Sequence, residues 1–171
     1  GDVTVDDAIK AVASTFAALP ARAPAAQPLP GSDQRRFPAP TAQPVRLTHT
    51  GPAEQALGYT AWPTTDSVDD RTEARKVNIL AEVFKLRVLE EIREKQALAY
   101  SPRVASSSSD VFKGYGSIFV MAETAADKIP AFYAAVDAII ASLRDAPVTE
   151  DELNRARLPV IESRRRSQAG N

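Results

Sequence analysis

The residues from which hydrolytic or metal chemistry is usually built are scarce in this chain. His49 is the single histidine and cysteine is absent, which removes thiolate zinc sites, disulfides and a cysteine nucleophile together. No His-x-x-Glu-His occurs anywhere, and one histidine in a strand-like stretch does not supply the three protein ligands that zinc requires. Ser106, Ser107, Ser108 and Ser109 offer hydroxyls, but His49 is the one candidate base, so a serine triad has little support and the run reads as loop. Glu150, Asp151 and Glu152 follow Thr149; there they make a capping box and place carboxylates at the positive end of a helix, which accounts for the cluster without a metal. Arg93 and Tyr100 remain, seven residues apart in Arg93-Glu94-Lys95-Gln96-Ala97-Leu98-Ala99-Tyr100-Ser101. Taken alone, Arg93 is a surface arginine beside Glu90, Glu91 and Glu94, and Tyr100 is a strand tyrosine with its ring in the core.

The elements that must position these residues follow from hydrophobic spacing. Thr4 and Asp7 form a weakened capping box for a helix over 5–19, with Ile9, Val12, Phe16 and Leu19 at helical intervals. Residues 20–44 hold seven of the thirteen prolines and read as a linker that sustains no regular structure. Val45 to Thr50 alternates apolar and polar, and Gln55 to Trp62 is strand-like, so a hairpin through Gly51 is expected. Asp69 and Asp70 open a helix of about 25 residues, near 37 Å long, with Val77, Leu80, Phe84, Val88 and Ile92 along one stripe. Leu98 to Ser106 and Tyr115 to Ala122 predict a second hairpin. Ile129, Phe132, Val136, Ile139, Ile140 and Leu143 predict a helix, and the Thr149 box starts a last one, which Pro159 should kink. Hairpins alternating with helices predict an α+β domain, an antiparallel or mixed sheet covered by helices on one face. The domain division expected is a helix at 1–19 closing a preceding repeat, the linker at 20–44, and the domain proper at 45–171. Gly1-Asp2-Val3 resembles the tail of a strand, and Ser163 to Ser167 lies in a helix with no cap, so the sequence reads as an excised piece.

Composition narrows the partners. The formal net charge is -1, which gives no overall cationic surplus for nucleic acid or anionic lipid. Arg164-Arg165-Arg166 is an isolated run without aromatic partners and reads as a solvated helix face. No apolar run approaches the roughly 18 residues of a membrane span, and the acidic start is unlike a signal peptide. The compartment is left open by the residues themselves.

Four phrases in register give the chain its resemblance: Gly1-Asp2-Val3 with Thr15-Phe16-Ala17-Ala18-Leu19-Pro20; Gly51-Pro52-Ala53-Glu54-Gln55-Ala56; Ile92-Arg93-Glu94-Lys95 with Leu98-Ala99-Tyr100-Ser101; and Pro147-Val148-Thr149 with Glu152-Leu153. Together they resemble the half-domain of the M16 zinc peptidases, the pitrilysin and insulinase group, in its non-catalytic C-terminal form. The resemblance implies a clamshell of two halves around an unfolded peptide, with zinc held by the other, catalytic half, on the same polypeptide or a separate subunit, and no cofactor in this one. It also implies that Arg93 and Tyr100 match the arginine and tyrosine that reach the substrate near the scissile bond, where a guanidinium and a phenol bind a peptide carbonyl and stabilise charge developing on it. By the same resemblance the compartment would be periplasmic. The alternative is an M16-like scaffold kept for interaction alone, as a structural subunit.

Overall fold

The computed structural model describes residues 3–21, 27, 29–32, 34–52 and 54–169, so Gly1 and Asp2 of the expected strand tail lie outside it. The chain divides into two units, Gly1–Asp33 and Gln34–Asn171. In the first, α1 spans Val5–Ser14, with Thr4 as N-cap accepting from the Asp7 N–H at 3.2 Å. The helix ends five residues before the expected Leu19. The hydroxyls of Ser14 and Thr15 bond back to the Ala11 carbonyl, the local competition by which such side chains weaken a helix.

The second unit holds the sheet. Among the described residues it has three strands, β1 (Ala56–Thr64), β2 (Arg103–Ser108) and β3 (Gly116–Thr124), in the order β1-β3-β2 with both pairings antiparallel. The expected strand over Val45–Thr50 joins no ladder; Val45 is 70% and Leu47 85% exposed. Alternation without a covered face to bury its apolar side stabilises nothing, and among the described residues the first hairpin does not form.

Helices cover one face of the sheet. α2 (Arg71–Val88) is capped by Asp70, whose carboxylate accepts from the Thr72 and Glu73 N–H groups, both at 2.9 Å. It passes directly into a π-helical segment, Leu89–Lys95, so the two together match the long helix expected. Leu80, expected on the stripe, is 43% exposed, and Ala81 and Val83 are buried beside it instead. α3 (Ile129–Asp145) follows the periodicity of its apolar residues, and α4 (Glu150–Ala169) continues through Pro159. The core brings Phe84, Val88 and Ile92 against Val104, Ile118 and Val120, with Phe132, Val136 and Ile139 from α3. Gly58 is needed where β1 passes α3, because a Cβ there would lie 2.6 Å from the Phe132 ring.

α2, α3 and α4 meet at one polar joint. Arg87 holds both oxygens of Glu152, at 2.8 and 3.1 Å, and donates to Ser142 at 2.8 Å. Glu152 also accepts from the Thr149 N–H while its own N–H donates to the Thr149 hydroxyl, the complete capping box of α4. Arg87, ahead of the Thr149 amide, pulls the Glu152 carboxyl down to about 2.

Candidate functional site

Arg93 and Tyr100 come together where the long helix ends. The π segment widens the last turns: the Gln96 N–H reaches the Glu91 carbonyl at 3.0 Å, and the Leu98 N–H reaches the Ile92 carbonyl at 2.8 Å. That second bond spans one residue more than a Schellman closure. Between them Ala97 takes φ 48, a left-handed conformation that glycine or asparagine ordinarily fills. π insertions and non-glycine residues at positive φ cluster at functional places, because the cost of holding them is otherwise unrewarded.

The turn is fastened from both sides. Ile92 is fully buried, Leu98 and Ala99 are buried, and so is Pro102. The Thr124 hydroxyl at the end of β3 donates to the Leu98 carbonyl, and Lys128 Nζ donates to the Ala97 carbonyl at 3.2 Å. Arg93 follows one buried anchor and Tyr100 follows another, so both side chains are directed outward. Tyr100 is 83% exposed. The strand expected from Leu98 starts only at Arg103, so the reading of Tyr100 as a strand residue with a buried ring does not hold.

The Arg93 guanidinium carbon lies 5.4 Å from the centroid of the Tyr100 ring, within cation–π range. Two of the neighbouring carboxylates are engaged elsewhere: Lys95 pairs with Glu90 at 2.8 Å and Glu91 at 3.4 Å, and Gln96 donates to Glu91 at 2.7 Å. The Gln96 amide, ahead of Lys95, holds the Glu91 carboxyl below its ordinary range, and Glu90 raises Lys95. Among the described residues Arg93 has no carboxylate within 4.0 Å, and its neighbour is the ring. A guanidinium over a ring still carries its N–H donors.

The remaining candidates have structural occupations. His49 Nε2 sits 3.1 Å from the Gln55 carbonyl. The Ser109 hydroxyl accepts from the Val111 and Phe112 N–H groups, and that of Ser106 accepts from Asn78. Among the described residues no three histidine, cysteine, aspartate or glutamate side chains are grouped to hold a metal. Tyr59 stacks on Phe119 at 5.7 Å and Trp62 meets Phe84 edge-on at 5.9 Å. The supports of the turn escape sequence reading. Ala97 carries no sign of a left-handed position, and Thr124 and Lys128 lie some thirty residues downstream of the carbonyls they hold.

An antiparallel sheet covered by helices on one face, with an exposed arginine–tyrosine pair at the end of its long helix, defines an α+β domain. A family model described as the peptidase M16 inactive domain matches residues 1–159, and the chain belongs to that family. Among solved structures it is similar to a conserved protein from Enterococcus faecalis V583, at a TM-score of 0.55 and 17% identity, over 75% of this chain and 31% of that one. That likeness shows the fold alone, and the chain spans under a third of the other's length. No curated protein matches.

Proposed function

We propose that this domain is the zinc-free, substrate-enclosing wall of an M16-type metallopeptidase, in which Arg93 and Tyr100 hold the peptide substrate in trans to a zinc on another half. The observation that carries the reading is the outward pair itself, a guanidinium 5.4 Å over a phenol ring on a turn whose backbone is bound to the core. Zinc in the catalytic half would activate water and polarise the scissile carbonyl. This chain's share is geometric. The guanidinium and the phenolic O–H both offer donors, and donors fixed before the reaction stabilise developing negative charge without reorganising. The hydrogen bonds at Leu98 and Ala97 fix the turn, and the ring lies beside the arginine.

The test uses the complete enzyme. Arg93→Ala and Tyr100→Phe should each lower kcat by about 10²–10³ with zinc content unchanged, and the isolated domain should bind no stoichiometric zinc. Unchanged kinetics for both variants would leave the fold serving as a scaffold in an assembly; tightly bound zinc with peptide cleavage by this domain alone would reverse the division of labour.

A further inference from the structure

The opposite end of α2 shows a second concentration of arginine, unrelated to the rim pair. Along β2 the residues facing the helices are Val104, Ser106 and Ser108. Val104 is buried in the core, but the next two positions on the same face are hydroxyls. The facing stripe of α2 runs from Phe84 and Ala81 to Asn78 and the buried Ala74, with the exposed Arg75 and Arg71 beside it. Arg164 of α4 borders the same space. The result is an open cleft of about 370 Å³, at the small end of the ligand-pocket range of about 300–1,000 Å³.

The half-buried Asn78, Ser106 and Ser108 stand where a helix–sheet layer would otherwise carry apolar residues, and the exposed Arg71, Arg75 and Arg164 border them with unneutralised charge. The nearby acids do not supply the counter-charge. Glu73 pairs with Lys76 at 3.0 Å, Asp69 with Lys113 at 2.8 Å, and Glu162 with Arg165 at 3.2 Å. Asp66 is buried and takes the N–H groups of Val68, Asp69 and Gly114. Among the described residues none of Arg71, Arg75 or Arg164 has a carboxylate within 4.0 Å, and Asp110 is the one acid lining the cleft. Three guanidiniums against one carboxylate leave a formal surplus of two positive charges, in a chain whose net charge is -1. The N-terminal amides of α2 take no part, since Asp70 already caps them.

We propose that this cleft binds a small phosphorylated ligand through its phosphoryl group. Guanidiniums from two helices and hydroxyl donors from the strand line the one cleft. A tetrahedral phosphoryl group accepts hydrogen bonds from several directions, whereas a planar carboxylate accepts in one plane. The Ser106 oxygen already accepts from Asn78 at 3.2 Å, which leaves its own proton to donate.

Titrating inorganic pyrophosphate into the full chain by calorimetry tests the site, with citrate as a polycarboxylate of similar charge. The expected result is saturable one-to-one binding of pyrophosphate, weakened by added salt and at least tenfold tighter than citrate. Arg75→Gln and Arg164→Gln should each weaken it about tenfold, while Arg144→Gln, which alters an arginine outside the cleft, should not. Unfolding midpoints without ligand, equal across the variants, confirm that the protein is intact. Absence of saturable binding, equal binding of citrate, or unchanged affinity in both cleft variants would overturn the proposal.

Discussion

The two ends of α2 treat the same residue type in opposite ways. At the C-terminal end, Val88 and Ile92 are fully buried, a π turn is fastened to the sheet, and one guanidinium rests on a ring at 5.4 Å. At the N-terminal end, the facing strand offers serines, the cleft is open to water, and Arg71 and Arg75 have no carboxylate partner among the described residues. Between them Arg87 is consumed by Glu152 at 2.8 Å. Arginine carries the same charge and fork in all three places. What differs is the backbone beneath it: where the chain is anchored to a dry core the guanidinium is placed, and where the surroundings are polar it is left available to a ligand.

That contrast makes energetic predictions of unequal size. Ile92→Ala strikes the dry end and should cost about 2–5 kcal/mol of stability, read from urea unfolding; a loss below about 1 kcal/mol would mean that the turn is not anchored there. Arg87→Ala cuts the joint of three helices and should cost about 1.5–3 kcal/mol at neutral pH, since hydrogen bonds to a charged group are lost. The pH dependence has a fixed sign. Glu152 is depressed from 4.5 to about 2 in the folded chain, so its contribution is complete above the unfolded value and is lost as pH falls from about 4.5 towards 2. The gap between wild type and Arg87→Ala should accordingly narrow across that window. Gly58→Ala forces a methyl against the Phe132 ring and should cost about 1–3 kcal/mol. At the wet end, Ser106→Ala should change stability by less than about 1 kcal/mol, because water can replace the acceptor that Asn78 loses. A larger loss there would make the cleft a structural network.

The sequence reading succeeded where a signal is local. The apolar intervals of α3 and the Thr149–Glu152 box of α4 are written in adjacent turns, and both elements form as expected. The α+β class followed from that alternation. It failed over Val45–Thr50, where alternation exists but no partner strand does, because pairing is a property of the whole sheet. The rim was half legible. The family resemblance, and not residue type, singled out Arg93 and Tyr100, and their approach depends on the positive φ of Ala97 and on bonds from Thr124 and Lys128, none of which spacing reveals. The cleft left no trace in linear order, since its residues run from Ser67 to Arg164.

The tether from Thr124 and Lys128 to the carbonyls of Leu98 and Ala97 has one more consequence. The shape of the rim is inherited from the end of the sheet as much as from the helix that carries the arginine. A transplant of residues 92–102 onto a foreign helix would bring the side chains without their poise; only a graft that includes the last residues of β3 and the first of α3 would carry both.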